Sequence, residues 1–181
     1  LRDFVLGVKI LDGRGDVLSF GGQVMKNVAG YDVSRLIAGS LGTLGVILDV
    51  SLKVLPRPVA ETTLAFDMSE TQAIDRLNDW GGRPLPVSAS AWSDGALSLR
   101  LSGAEAAVRS AAQKLGGDVV PKDTADAFWR GLREHSIDFF GGAARAEPAA
   151  VLWRLAVPGS APPLQLDGKQ LIEWGGALRW L

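Results

Sequence analysis

Residues 26–55 read KNVAGYDVSRLIAGSLGTLGVILDVSLKVL and place a glycine-rich loop between a short helix and an apolar strand. Val33, Leu36 and Ile37 recur at helical spacing, which predicts a helix over 31–38. Apolar side chains at every second position of 46–55 predict a strand with one buried face. The first part of the fold is therefore predicted as helix, loop and strand.

The loop, Gly39 to Gly45, holds three glycines spaced by three residues. Glycine permits positive φ and lets another backbone or a flat ligand approach closely. A dinucleotide cradle runs strand, loop, helix, so that phosphate meets a helix N-terminus. Here the loop follows a helix and meets the negative end of its dipole, which favours an adenine or flavin ring over phosphate. Alternatively, Gly39 is a helix C-cap and the other two glycines are turn residues.

The segment GSLGTLGVI, preceded by KNVAGYDVSRL and followed by a strand ending LKVLP, resembles the second half of an FAD domain. The family is that of the FAD-linked oxidases of the vanillyl-alcohol oxidase type. In that family the G-S-x-G-T-L-G segment contacts the flavin. The flavin-binding residues that the resemblance implies are Gly39, Ser40, Leu41, Gly42, Thr43, Leu44 and Gly45, with Leu41 at the variable position.

RDFVLGVKIL, GGQVMKNVAGYDVSRLIAGSLGTLGVIL, SASAW and EWGGALRWL are also similar to the FAD-binding subunits of bacterial glycolate oxidases. This resemblance implies an FAD-dependent complex that oxidises glycolate to glyoxylate with a catalytic FAD-linked oxidase subunit and an iron–sulfur subunit. It implies a cytoplasmic location, peripheral at the inner membrane through the complex. The alternative is a non-catalytic structural or assembly subunit with a relict flavin fold.

The family's FAD fold is split between two halves, and the pyrophosphate-holding loop belongs to the half that precedes this one. We therefore expect an incomplete FAD site here. The chain opens on Leu-Arg-Asp without an initiator Met, and we expect it to be a piece of a longer protein.

Composition excludes several classes of function. The 181 residues carry 19 basic and 20 acidic side chains, a net charge of −1, which gives no field for binding nucleic acid. The absence of cysteine excludes disulfides, thiolate catalysis and Cys-ligated metals. No apolar run approaches the roughly 18 residues that span a bilayer, so no direct membrane span is predicted. Because 47% of the residues are hydrophobic, real cores are expected.

Pro56-Arg57-Pro58 marks the predicted domain boundary, because prolines end a strand ladder and stiffen the exit. We expect residues 1–57 to form the second half of the FAD domain and residues 58–181 to form a cap domain. The pattern after Pro58 is β-α-β-β-α-β, the ferredoxin-like plan, with Ser93-Asp94-Gly95 as its hairpin. The predicted fold class is α+β throughout. The resemblance implies the same cap domain.

Beyond Pro121 the pattern predicts a helix over 123–134, a loop over 139–142, and strands over 150–157 and within 171–181. Four tryptophans lie in this tail. They predict either filling of the cap core or an interface for a partner subunit, where Trp is enriched. They are Trp129, Trp153, Trp174 and Trp180.

No catalytic residue is identified. The single histidine, His135, stands at the end of a predicted helix, where a capping or surface role is typical. No H-x-x-x-H pattern indicates a metal site. The single tyrosine, Tyr31, stands where the family has an aromatic residue beside the glycine loop, and we expect it to pack there.

Overall fold

The computed structural model describes residues 2–23, 31–141 and 151–181. It divides the chain into two units, Leu1–Arg57 and Pro58–Leu181, which are called unit 1 and unit 2 below. The predictions that involve Lys26 to Gly30, Gly142 and Ala150 lie outside the described residues.

Unit 1 is a three-stranded antiparallel sheet with one short helix, α1. The strands lie in the order β2-β1-β3, and a hairpin joins β1 to β2. In its turn the Asp12 carboxylate accepts the N–H groups of Arg14 and Asp16, at 2.8 and 2.9 Å. The elements are a 3-10 turn at Arg2–Phe4, β1 at Val5–Leu11, β2 at Val17–Gly21, α1 at Val33–Ile37 and β3 at Val46–Leu52.

The prediction of a buried face on β3 is wrong. Its apolar side chains are 44 to 61% exposed, and only Ser51 is half-buried. The buried cluster of unit 1 is centred on β1, where Val5, Val8 and Ile10 meet Ile37 of α1. Alternation identifies which residues share a face, whereas burial requires a second layer over that face.

Two further expectations for α1 are also wrong. The helical spacing of Val33, Leu36 and Ile37 predicts that they share one face, but Ile37 is buried whereas Leu36 is 60% exposed. Tyr31 was expected to pack beside the loop, and it is 99% exposed. The helix is five residues long, little more than one turn, and it packs only Val33 and Ile37 against the cluster on β1.

Unit 2 begins with the predicted β-α-β-β-α-β order, and the α+β fold class is confirmed. Its strands lie in the order β7-β4-β6-β5, all neighbours antiparallel, which is the ferredoxin-like arrangement. The elements are β4 at Ala60–Asp67, α2 at Glu70–Gly81, β5 at Val87–Ser93, β6 at Ala96–Gly103, α3 at Glu105–Leu115 and β7 at Asp118–Val119.

Local sequence signals account for these elements. Ser69 and Gln72 form a reciprocal capping box at the start of α2. Asp94 and Gly95 both have positive φ, 49° and 84°, as a tight type I′ hairpin between β5 and β6 requires. The inward faces of α2, α3 and β6 then meet in one core. Its fully buried members include Leu64, Ala73, Leu97, Leu99, Leu101 and Ile172.

Three more strands extend the sheet beyond β5, giving the order β7-β4-β6-β5-β9-β10-β8. The elements of this part are α4 at Lys122–Arg133, β8 at Arg154–Ala156, β9 at Leu171–Glu173, a 3-10 turn at Trp174–Gly176 and β10 at Leu178–Trp180. Residues 138–141 are helical, so the predicted loop there is wrong. Phe139 and Phe140 pack into a second buried cluster with Leu132 and Trp180, and this packing fixes the turn.

The four tail tryptophans divide into two pairs. Trp180 is buried in the second cluster and Trp129 packs against it half-buried, so filling of the core is confirmed for these two. Trp153 and Trp174 are 58 and 76% exposed, and for these two the core interpretation is wrong.

Candidate functional site

The predicted flavin-binding loop follows α1 of unit 1, whose start is fixed by Asp32. The Asp32 carboxylate accepts the N–H of Arg35 at 3.1 Å and the hydroxyl of Ser34 at 2.9 Å. These hydrogen bonds, the backbone one first, hold the pKa of Asp32 below its ordinary value. The cap therefore stays ionised at neutral pH and keeps α1 in register ahead of the loop.

The loop folds as two consecutive turns after the helix. The N–H of Ser40 donates to Ile37 O at 3.0 Å, and Thr43 donates to Ser40 O through its N–H at 3.0 Å and its hydroxyl at 2.7 Å. Positive φ occurs at Gly39 (89°), Leu41 (53°) and Gly42 (78°). The glycine pattern is thus required by backbone conformation, as the turn interpretation predicted.

The three glycines differ in their surroundings. A Cβ at Gly45 would lie 2.8 Å from Leu11 O, so this residue allows the close approach of the loop to β1. A Cβ at Gly39 or Gly42 would meet no atom of the described residues within 4 Å. The positive φ of the turns requires glycine at these two positions, and it leaves bare backbone on an open surface.

The open part of the loop fits a flat apolar group. Leu41 is 96% exposed and Leu44 is 47% exposed, so both present apolar surface beside the glycines. Within the described ranges, the N–H groups of Leu41, Gly42 and Leu44 have no hydrogen-bond acceptor. Free donors on bare backbone next to apolar side chains suit the edge and face of a ring such as a flavin.

His135 belongs to unit 2, immediately after Glu134, the C-cap of α4. It is exposed and has a positive φ of 54°. Its ring stacks on Phe140 at 4.3 Å between centroids and meets the edge of Trp180 at 5.0 Å. This is the predicted surface role at a helix end. Among the described residues no group of three His, Cys, Asp or Glu side chains could hold a metal ion.

Sequence reasoning missed a polar cluster on the sheet face of unit 2 that α4 crosses. The β6 residues Arg100 and Ser102 lie on this face, opposite the buried leucines of the same strand, and Glu61 of β4 and Ser88 of β5 join them. The signal was available in the alternation of β6, where Ser98, Arg100 and Ser102 interleave with the leucines. Its partners on β4 and β5 follow only from the register of the sheet.

Buried Arg179 of β10 was also missed. It is 1% exposed and donates through Nε to Gly176 O and through Nη2 to Ala161 O, both at 2.8 Å. Burial lowers the pKa of its guanidinium, and Glu70, 3.5 Å away, opposes that shift. Its partners are mainly backbone carbonyls, so Arg179 fixes the turns around β10.

The helices of the described ranges are all too short to cross a lipid bilayer, the longest having 12 residues.

Comparison with known proteins gives a match over the whole chain. All 181 residues align at 48% identity with the glycolate oxidase subunit GlcE of Escherichia coli (strain K12) and cover 49% of that protein. The chain therefore spans about half the length of this relative. No protein-family model matches the chain.

Shorter matches cover about a third of the chain. The glycolate oxidase subunit GlcD of Bacillus subtilis (strain 168) is 43% identical over 63 residues, which are 35% of this chain and 13% of that protein. A D-2-hydroxyglutarate dehydrogenase of Stutzerimonas stutzeri (strain A1501) is 32% identical over 73 residues, 40% of this chain and 16% of the enzyme. The resemblance to the FAD-linked oxidases, and among them to a glycolate oxidase subunit, is therefore confirmed.

Proposed function

We propose that this chain is part of the FAD-binding subunit of a glycolate oxidase complex that oxidises glycolate to glyoxylate. The observation that carries the proposal is the 48% identity to a glycolate oxidase subunit along all 181 residues. The proposed partners are a catalytic FAD-linked oxidase subunit and an iron–sulfur subunit. The proposed location is the cytoplasm, peripheral at the inner membrane through the complex.

In this proposal the loop Gly39, Ser40, Leu41, Gly42, Thr43, Leu44 and Gly45 contacts the flavin. The bare backbone at Gly39 and Gly42 and the free N–H groups beside it support this assignment. Gly45 contributes indirectly by seating the loop against β1. When bound, FAD supplies the two-electron acceptor that oxidation of a hydroxy acid requires.

We assign residues 1–57 to the second half of the FAD domain and residues 58–181 to a ferredoxin-like cap domain. The division of the chain at Arg57 and Pro58 and the strand order of unit 2 support this assignment. The residues that hold the pyrophosphate are then expected in the part of the relative that this chain does not span.

We assign the proton abstraction to the partner subunit. The sole imidazole of the chain is His135, which stacks on Phe140 at the exposed end of α4. The exposed rings of Trp153 and Trp174 are the proposed contact surface for that partner, because large aromatic side chains supply much of the binding energy at interfaces.

The test uses Gly42→Val in the full-length protein, with flavin measured by visible absorption per mole of purified subunit. A β-branched residue is strained at a φ of 78° and would project from the loop surface. We expect flavin to be lost while the circular dichroism of the folded protein is retained.

The matched control is Gly15→Val. Gly15 also has positive φ, 86°, in open space, but it lies in the hairpin turn of β1 and β2. Gly15→Val introduces the same backbone strain outside the loop, and we expect this variant to keep flavin. Equal flavin content in both variants and the parent would contradict the assignment of the loop. A colourless parent protein would instead favour the structural subunit.

A further inference from the structure

The polar cluster on the α4 side of the unit 2 sheet is built around Arg100. Its Nε donates to Ser88 Oγ at 3.0 Å, and its guanidinium carbon lies 5.3 Å from the centroid of the Trp129 ring. The indole of Trp129 is itself fixed, because its Nε1 donates to Thr63 Oγ1 at 2.9 Å. The guanidinium is therefore held in place by a hydrogen bond and by a cation–π contact.

The outer edge of this guanidinium is free. The Arg100 side chain is 32% exposed, and in the described part of the chain its two Nη atoms donate to no acceptor. The carboxylate nearest to it is Glu61, whose Oε1 lies 3.8 Å from Nε. An oriented guanidinium with both Nη groups available matches the two oxygens of a carboxylate.

The hydroxyl groups beside Arg100 form a chain of hydrogen bonds that ends at the carboxylate of Glu61. Ser102 donates to Glu61 Oε1 at 2.7 Å, and Ser88 and Ser102 lie 2.6 Å apart. Because Ser102 gives its proton to Glu61, only the Ser88 hydroxyl can donate between the two serines, and Arg100 O, 3.2 Å from Ser88 Oγ, is the other acceptor for that proton. Oε2 of Glu61 accepts no hydrogen bond from the described residues, so it is available to a donor on a ligand.

Arg100, Glu61 and Ser88 line one open groove together with Lys122 and Arg130 of α4. Glu61 contributes to raising the pKa of Lys122, after the larger effect of Asp126, so the charges of the groove interact. Lys122 is paired with Asp126 in this groove, so Arg100 is the cation that the groove offers to a carboxylate, and Glu61 lies next to it as an acceptor for a hydroxyl group.

We propose that Arg100 and Glu61 form a binding site for a small 2-hydroxy carboxylate. The site lies next to the ring of Trp129. The ligand's carboxylate binds the Nη groups of Arg100, and its hydroxyl donates to Oε2 of Glu61. The choice of glycolate as the probe rests on the proposed function. The site itself rests on the geometry of unit 2 and does not involve the flavin loop.

The test is an NMR titration of the full-length protein labelled with ¹⁵N at tryptophan. The Trp129 indole resonance is assigned with Trp129→Phe, and glycolate, acetate, methyl glycolate and inorganic phosphate are added in turn. We expect a saturable shift of this resonance by glycolate with a Kd of about 1 to 10 mM, in keeping with so small a ligand. Acetate lacks the hydroxyl and is expected to bind at least about fivefold more weakly. Methyl glycolate lacks the charge and should give no saturation.

Two variants test the residues. Arg100→Gln should abolish the glycolate shift, and Glu61→Gln should lower glycolate affinity to the level of acetate. Arg109→Gln is the control, since Arg109 is a 64% exposed arginine paired with Glu105 on α3. The indole resonances of the other five tryptophans among these 181 residues report whether each variant is folded.

The proposal is overturned if glycolate gives no saturable shift, if Arg100→Gln retains it in a folded protein, or if phosphate and acetate bind as tightly as glycolate. None of these outcomes affects flavin retention by the loop. A parent protein that retains flavin but does not bind glycolate would refute this site and leave the proposed function intact.

Discussion

Strands β3 and β6 have similar alternating apolar patterns and opposite environments. In β6 the side chains of Leu97, Leu99 and Leu101 are fully buried. In β3 the apolar side chains are 44 to 61% exposed on both faces. Both patterns specify a strand. Burial depends on whether helices of sufficient length lie over it.

Helix length accounts for the difference. Two helices of 12 and 11 residues cover one face of the unit 2 sheet, and each is roughly 17 Å long at 1.5 Å per residue. The helix of unit 1 has five residues and is roughly 8 Å long. A seven-residue strand extends about 23 Å. Among the described residues of unit 1, the short helix therefore covers β1 and leaves β3 open.

The largest expected effect tests this contrast directly. Leu99→Ala removes a fully buried side chain, and we expect the free energy of unfolding of unit 2 to fall by about 2 to 5 kcal/mol. The matched variant is Leu48→Ala, whose side chain is 51% exposed, with an expected loss under about 1 kcal/mol. Urea titration of each variant measures both values. Comparable losses would show that β3 is covered in solution.

Proteolysis compares the linker with the strand that precedes it. The segment 53–59 has no regular secondary structure and is exposed, whereas Val46–Leu52 is hydrogen-bonded to β1. Cleavage within β3 requires that ladder to open. We expect the cut near Pro58 at least about tenfold faster, equivalent to about 1.4 kcal/mol of local opening. Mass spectrometry of the early fragments gives the order of cleavage. First cuts inside β3 would place the boundary elsewhere.

A smaller effect concerns the start of α2, one of the two long helices that cover the sheet of unit 2. Ser69→Ala removes the capping box of α2, and we expect a loss of about 1 kcal/mol in the free energy of unfolding. Ser69→Asp keeps an acceptor for the Gln72 N–H and is expected to stay within about 0.5 kcal/mol of the parent. Thermal and urea unfolding measure both. An unchanged Ser69→Ala variant would show that packing alone fixes the start of α2.

The parts of the fold that could be predicted carry their own local signals. The capping box at Ser69, the Asp94-Gly95 turn and the leucine alternation of β6 each act over a few residues. The exposure of β3 and Tyr31 could not be predicted, because it depends on which layers the fold supplies. The helical turn at 138–141 follows from packing against Trp180, 40 residues along the chain.

The two candidate sites also differ in whether a local sequence pattern predicts them. The glycine loop could be predicted from its motif, and its contact with flavin stays a prediction. The cluster at Arg100 joins Glu61, Ser88 and Ser102, which come together through strand register across as many as 41 residues. No local pattern contains that information. The resemblance to a family identified the loop and gave no indication of the cluster.

The smallest expected effect concerns His135, the one histidine of the chain. A positioned general base contributes on the order of 100- to 10,000-fold to a rate. His135 is exposed, and its removal takes away aromatic contacts with Phe140 and Trp180 but no hydrogen bond of its side chain to a described residue. We expect His135→Ala to leave glycolate oxidation by the assembled complex within about twofold of the parent, an activation difference of about 0.4 kcal/mol. Dye-linked glycolate oxidation with the reconstituted complex measures the rate, and gel filtration confirms equal assembly.

A loss of about a hundredfold in an assembled complex would be of the size expected for a catalytic base. The proton abstraction would then belong to this subunit, against the assignment to its partner.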